Sequence, residues 1–292
     1  MNKIVALIVN YNSKESLTEC IDSILVQDGG APDILVVDNA STDGTKEYIK
    51  DYLESGQVRW FELDRYLGYA GGYEHGVREA VEMGYKFIWF VNVNCRVRSN
   101  ALKEFKKTHN ILGGHYGFLV GRSVSKNGSV YEAPMVTVKR RMTNFNRDLQ
   151  RVEFAPFLSC FIQTGIIKKV SLPIGEFFAG VDDIEYTRRI SLKYPCYYVK
   201  ESVVVSNSYE EDKYNIANVP EEELMKFDYE YRNKFYVYKR EGTKGLVCWF
   251  LDTNRDVAQV VLNAQSGKGA RLGTIMKGTL KGFFYRPTID MA

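Results

Sequence analysis

The sequence predicts an α/β fold: a mostly parallel sheet flanked by helices, followed by a helical C-terminal extension. Two observations carry this expectation. Over about the first hundred residues, short β-branched apolar runs alternate with segments of helical periodicity. Beyond residue 240, the stretch Lys244–Arg286 reads as one or two amphipathic helices with a glycine-rich break near Gly267–Gly273.

Ile4–Val9 is a continuous apolar run, as expected of a strand buried on both faces. Asn12 is placed to cap the next helix, with Glu15 three residues on as a capping box. Leu17, Cys20, Ile21, Ile24 and Leu25 then form one helical stripe. Ile34–Val37 is a second strand, ending at Asp38. Thr45–Leu53 has helical spacing, Val58–Phe61 is a third strand, and a glycine-rich turn opens a helix over Ala70–Met83. Phe87–Val91 is a fourth strand, and the βαβαβαβ order implies a parallel sheet.

After about residue 116 the pattern loosens. Phe118–Val120 and Ser129–Glu132 flank a hairpin signal at Lys126-Asn-Gly-Ser, and Lys139-Arg-Arg begins a polar surface loop. Phe154–Val170 is expected to pack under the sheet. Phe178–Ser191 carries an acidic cluster running into a helix, Tyr197–Val205 is a strand, and Glu221–Arg240 is a helix, acidic first and basic last.

Composition excludes several classes. The chain has 292 residues, 45% hydrophobic and 26% charged, so disorder and low-complexity readings fail. No stretch approaches the roughly 18 apolar residues of a membrane span, and the early apolar run is too short for a signal-peptide core. Five scattered cysteines without a CxxC fit reduced thiols and a cytoplasmic protein, not a disulfide framework or a zinc site. The net charge is +3, and it is concentrated after residue 240, where seven Lys/Arg face four Asp/Glu. That is too little for a nucleic-acid reader and suits anionic headgroups or a phosphate-bearing substrate.

In open parallel sheets, ligands bind at the carboxyl ends of the strands. The residues there are Asn10-Tyr11-Asn12, then Asp38-Asn39-Ala40-Ser41-Thr42-Asp43-Gly44-Thr45, then Asn92-Val93-Asn94. Asp38 suits a ribose hydroxyl or a base N–H, but it equally suits turn and cap formation. The segment Gly68-Tyr-Ala-Gly-Gly-Tyr-Glu-His-Gly76 could cradle phosphates at a helix N-terminus. It matches neither GxxxxGK[ST] nor a dinucleotide fingerprint.

Together these motifs resemble the family 2 glycosyltransferases, whose GT-A fold is a Rossmann-like, mostly parallel sheet flanked by helices. The resemblance extends to Phe177-Phe-Ala-Gly-Val-Asp-Asp-Ile-Glu-Tyr-Thr-Arg-Arg189 and Tyr231-Arg-Asn233, and spans about residues 3–240. Within the family it is closest to bacterial rhamnosyl- and galactofuranosyltransferases. It implies a catalytic domain over 1–240, with a nucleotide-binding half at 1–95 and an acceptor-binding half at 96–240, followed by a basic amphipathic extension at 241–292. It implies an inverting enzyme that takes a UDP- or dTDP-sugar to a growing, lipid-linked surface glycan. Asp183 would be the general base, with Asp182 beside it. Asn10, Asn12, Asp38, Asn39, Gly71, Gly72, Asn92 and Arg96 would face the donor.

Two positions depart from the family pattern. Asn94 stands where relatives place an Asp that holds Mn²⁺ or Mg²⁺, so any divalent metal would be held weakly. No His occurs in Val203-Val-Val-Ser-Asn-Ser208, where many relatives place another ligand. Either a metal binds through neutral oxygens and the diphosphate, or cations such as Arg96 stabilise the leaving group, or the chain is a degenerate nucleotide- or glycan-binding module. In the tail, Lys268, Arg271, Lys277, Lys281 and Arg286 accompany Ile275, Met276, Leu280 and Phe283. The expectation is a helix on the inner face of an anionic membrane, or one packed on the catalytic domain or a second subunit.

Overall fold

The computed structural model describes residues 3–137, 140–207 and 215–292. The first half runs β1 (Ile4–Asn10), α1 (Lys14–Leu25), β2 (Asp33–Asp38), α2 (Thr45–Tyr48), α3 (Lys50–Glu54), β3 (Val58–Glu62), α4 (Gly68–Glu82) and β4 (Phe87–Val91). Strand β1 pairs in parallel with β2 and β4, and β2 with β3. Every residue of β1 is buried, because the strand has a core on each side. Val5, Leu7 and Val9 face Tyr73, Val77 and Ala80 of α4. Ile4, Ala6 and Ile8 face Leu17, Cys20, Ile21 and Ile24 of α1. Each such buried aliphatic side chain contributes about 1.5–3 kcal/mol, so the uninterrupted apolar run fixes this strand between two helical layers.

The second half runs β5 (Cys95–Val97), α5 (Ala101–Ile111), β6 (Phe118–Ser125), β7 (Met135–Thr137), β8 (Arg140–Arg141), β9 (Gln150–Arg151), β10 (Ser159–Gln163), α6 (Thr164–Val170), α7 (Asp182–Ser191) and β11 (Tyr197–Ser206). Among the described residues the sheet has nine strands, with the order β3-β2-β1-β4-β10-β6-β11-β5 and β9 paired to β11. It is mostly parallel on the β3 side. It reverses at β10, which is antiparallel to both β4 and β6.

Several local expectations need correction. Helix α1 begins at Lys14 with Ser13 at its N-cap position. Asn12 does not cap it, because its Oδ1 accepts from the Thr42 amide at 2.7 Å. The Thr45–Leu53 segment breaks at Ile49 into α2 and α3. The apolar stretch after Phe154 does not lie under the sheet: its centre is β10, inside it. The returning hairpin strand shrinks to one bridge, Val124 to Val130. In the polar segment, Lys139 lies outside the described residues, and Arg140–Arg141 form an exposed strand paired with β7.

The C-terminal part consists of α8 (Leu224–Arg240), α9 (Gly242–Asn263) and α10 (Lys268–Phe284). These helices share an apolar core that includes Phe227, Tyr231, Val260 and Ile275. Helix α10 lies unusually close to α8. A Cβ on Gly278 or Gly282 would stand 2.6 Å from the Asp228 or Arg232 carbonyl oxygen. These glycines, which would weaken an isolated helix, therefore permit the contact. Three of the five tail cations serve the fold: Lys268 donates to the Val261 carbonyl near the end of α9 at 2.7 Å. Arg271 is buried and donates to the Ile216 carbonyl at 2.6 Å, and Lys281 pairs with Asp228.

Candidate active site

The acidic pair begins α7, and the segment before it holds an unusual conformation. Phe178 (φ 62°), Gly180 (φ 79°) and Val181 (φ 57°) lie in the left-handed region. For a β-branched valine this is strained backbone, and such positions persist only where the surroundings enforce them. Two elements do so here. The Phe178 carbonyl sits against the start of α4 and accepts from the Ala70 amide at 3.4 Å. A Cβ on Gly68 would lie 2.0 Å from that oxygen, and Gly68 itself has φ +69°, so only glycine fits. From the other side, fully buried Asn233 of α8 donates from Nδ2 to the Phe177 and Ala179 carbonyls, both at 2.9 Å. Its neighbour Arg232 donates to the Glu176 carbonyl at 2.6 Å. The Arg-Asn pair on α8 is therefore a clamp on the loop that delivers Asp182 and Asp183.

Asp182 and Asp183 are half-buried and edge a cleft of about 310 Å³ with Asn92, Asn94, Tyr69, Tyr73 and Glu132. Burial, then the charge of Asp183, pushes the Asp182 carboxyl up to about 7. Burial pushes Asp183 up as well, opposed by the Ile184 amide, which donates to its Oδ1 at 2.7 Å. Two adjacent carboxyls of raised proton affinity can exchange a proton near neutral pH. Asp183 also lines a second cavity of about 300 Å³ on its other side. That cavity is formed by Arg141, Phe154 and Pro156 of the sheet domain and by Lys234, Tyr238 and Asp252 of α8 and α9.

Asn92 and Asn94 follow β4 and reach the first cleft, with the Asn94 amide donating to Asn92 Oδ1 at 2.9 Å. Asn10 is fully buried and donates to Asp38 Oδ1 at 2.9 Å, while the Asp38 carboxylate also accepts from the Ser41 amide and hydroxyl. Asn39 is likewise buried. It donates to the Gly68 carbonyl at 2.7 Å and accepts from the Leu67 amide at 2.8 Å. These side chains tie the loops after β1, β2 and β3 together. Gly71 and Gly72 face Leu67 and Val9, at distances where a Cβ would clash. Gly72 permits close helix–sheet packing, and Gly71 lets Leu67 fold back on the first turn of α4. Arg96 is not brought to the cleft; it pairs with Glu19 of α1.

Sequence reasoning did not single out Glu132, Arg141 or Lys234. Glu132 lines both cavities, but it precedes a short strand without any pattern that marks it. Lys234 adjoins the Tyr-Arg-Asn motif, which was its available signal.

Glycosyl transferase family 2 matches residues 5–168, more than half of the chain. The chain belongs to this family. Among solved structures, Staphylococcus aureus TarS superposes with a TM-score of 0.58 at 15% identity, covering 96% of this chain and 43% of TarS. The mannosyltransferase PcManGT from Pyrobaculum calidifontis, in complex with GDP-Man and Mn²⁺, gives 0.59 at 11% identity over 97% of this chain and 87% of that one. These neighbours share the GT-A fold that the motifs imply. The teichoic acid poly(glycerol phosphate) polymerase of Staphylococcus epidermidis is 29% identical over 42% of this chain. Poly-β-1,6-N-acetyl-D-glucosamine synthase from the same species is 20% identical over 53%. The chain spans only 17% and 33% of the lengths of these two relatives.

Family 2 membership raises the question of a divalent ion. Among the described residues, no three His, Cys, Asp or Glu side chains converge on a metal-binding cluster. The cleft is edged by Asn94 and Asp182, whose oxygens are hard donors of the right kind for Mg²⁺ or Mn²⁺ but few in number. They fit an ion that arrives with a substrate diphosphate better than one held by protein alone.

Proposed function

We propose that this chain is an inverting glycosyltransferase. It would carry a hexosyl unit from a UDP- or dTDP-sugar to a hydroxyl group of a growing, lipid-linked bacterial surface glycan. The observation that carries the reading is Asp183, a carboxyl of raised proton affinity on the wall between two cavities. The donor occupies the cleft edged by Asn92 and Asn94, and the acceptor occupies the cavity closed by α8 and α9. Asp183 Oδ takes the proton of the acceptor hydroxyl as that oxygen attacks the anomeric carbon. The bond from carbon to the diphosphate oxygen breaks on the opposite face, giving inversion. Base catalysis of this kind is worth about 10²–10⁴ in rate. Asp182 shares a proton with the pair. The Ile184 amide makes Asp183 the better carboxylate of the two. A bound Mg²⁺ or Mn²⁺ would supply charge for the leaving diphosphate, with Asn94 contributing an oxygen.

The TarS fragment has been solved with UDP and with UDP-GlcNAc, which supports a uridine donor. Rhamnose and galactofuranose are the sugars the family resemblance favours. The similar teichoic acid, poly-N-acetylglucosamine and lipopolysaccharide-core proteins support a surface glycan as product. In this reading residues 1–240 are the catalytic domain, 1–95 serving the nucleotide and 96–240 the acceptor, while 241–292 close the acceptor cavity. A lipid-linked acceptor implies work at the inner face of the membrane.

The test is Asp183→Asn. Transfer should fall by about 10²–10⁴ while UDP binding by calorimetry stays within about twofold, because a base acts in the transition state. Loss of UDP binding together with activity would overturn the assignment. Asn94 favours a second reading, a binding module without turnover, which any donor hydrolysis or transfer by the wild type excludes.

A further inference from the structure

Among the described residues, ten of the seventeen exposed large hydrophobic side chains lie on α9 and α10. They are not scattered. Phe250 and Leu251 are 57% and 62% exposed on α9, and Met276, Leu280, Phe283 and Phe284 are 57–81% exposed on α10. The α10 residues fall at i, i+4, i+7 and i+8, a single outward stripe. The two sets meet at one end of the helical unit. Phe235 of α8 packs edge-on against Trp249 of α9 at 4.9 Å and stacks on Phe283 of α10 at 5.3 Å. Exposed apolar side chains gathered in this way on packed helices mark an interaction site.

Its surroundings are cationic. Lys239 lies 5.1 Å from the Phe283 ring, and Arg240, Lys244, Lys277 and Arg286 are exposed on the same three helices and the residues after them. Among the described residues, none of these five pairs with a carboxylate. The two acids of α9 face inward: Asp252 and Asp256 accept from the Tyr238 and Tyr231 hydroxyls at 2.8 and 2.9 Å. Helix α10 has no acid at all.

We infer that the outward face of α9 and α10 docks on the surface of an anionic lipid bilayer, with Phe250, Leu280, Phe283 and Phe284 entering the headgroup boundary and Lys239, Lys244 and Lys277 meeting lipid phosphates. Aromatic and apolar side chains ringed by lysine are the composition of interfacial helices. No helix among the described residues is long and apolar enough to cross a membrane, so the contact lies along the surface. A second copy of the chain is disfavoured as occupant, since a two-fold interface would set the same lysines against each other. The inference draws its purpose from the lipid-linked acceptor proposed above but its physics from this surface alone. The cavity beside Asp183 is walled by Tyr238 of α8 and by Asp252 and Arg255 of α9, so the helix that would meet the bilayer also contributes to the acceptor wall.

The experiment is vesicle flotation of the full chain, without donor or acceptor, on phosphatidylcholine with and without phosphatidylglycerol. The protein should float with the anionic vesicles about tenfold more than with the neutral ones, and raised salt should release it. Two variants, Phe283→Ser with Phe284→Ser, and Lys244→Glu with Lys277→Glu, should each reduce flotation about tenfold. All four side chains are exposed, and an unchanged circular dichroism spectrum checks the fold. Equal recovery on both vesicle types, or variants that float like wild type, would overturn the inference. So would a dimer in sedimentation equilibrium that the same variants abolish. Donor turnover by a chain that fails to float would leave the transferase reading intact, so the two proposals fail separately.

Discussion

Asp182 and Asp183 stand side by side at the start of α7, and their repulsion should be measurable as stability. Burial and the neighbouring charge raise Asp182 from its ordinary 3.8 to about 7, and burial raises Asp183 to about 6. Between those limits the native protein holds protons that the unfolded chain releases. A carboxyl raised in this way contributes its stability in full below the unfolded value and loses it as pH climbs through the folded one. The rise at Asp182 alone corresponds to about 4 kcal/mol at 1.36 kcal/mol per pH unit. That is an upper bound, because the pair edges an open cleft where water screens it. About 2 kcal/mol is the expected size. Asp182→Asn removes one ionisation and keeps the shape. At pH 8 the variant should unfold about 4 °C above wild type, and at pH 4 the two should converge. Differential scanning calorimetry across pH 4 to 8 measures both. If the two curves run parallel, or the variant is no more stable at pH 8, the fold does not hold the pair protonated and the proton-sharing argument fails.

The clamp on the preceding loop gives a second expectation. Asn233→Ala removes a side-chain donor from the carbonyls of residues 177 and 179, the first of which keeps the Ala179 amide, and should cost about 1–3 kcal/mol in urea unfolding. It should also lower kcat more than it changes UDP affinity. A loss under 0.5 kcal/mol, the size of an ordinary surface change, would mean the loop holds its shape unaided. For the metal, Asn94→Asp should tighten Mn²⁺ binding in the presence of UDP, since a carboxylate is the stronger ligand for a hard cation. An unchanged Mn²⁺ titration would place Asn94 away from the diphosphate.

The parallel half of the sheet was legible because β1 to β4 are short apolar runs followed by turn residues or helices. β10 was not placed correctly, because Ser159–Gln163 looks like any buried segment. Nothing local tells that it inserts antiparallel between β4 and β6. Helix α5 was missed, although Ala101, Leu102, Phe105 and Thr108 form a readable buried stripe. The site divided in the same way. The acidic pair was visible as a motif. The work of Asn233 was not, since its partners are main-chain carbonyls more than fifty residues upstream. Asp38, Asn39, Gly71 and Gly72 were marked for the donor, and each already has a structural partner that the sequence does not display.

Asp183 lies on a partition, and its two sides have different origins. One side is built from the ends of strands in the half of the chain that the family shares. The other is walled by Arg141, Phe154 and Pro156 from that half and by side chains of α8 and α9, past residue 168 where the family match stops. Under the proposed reading, only the α8 and α9 part of the acceptor wall is separate in sequence from the strand ends that meet the donor and from the acidic pair. Exchanging Lys234, Tyr238, Asp252 or Arg255 could redirect the enzyme to another acceptor while leaving nucleotide recognition and the acidic pair untouched. Lineages that diversify their surface glycans would then vary this wall fastest, and a graft of α8 and α9 between two such enzymes should carry acceptor choice with it.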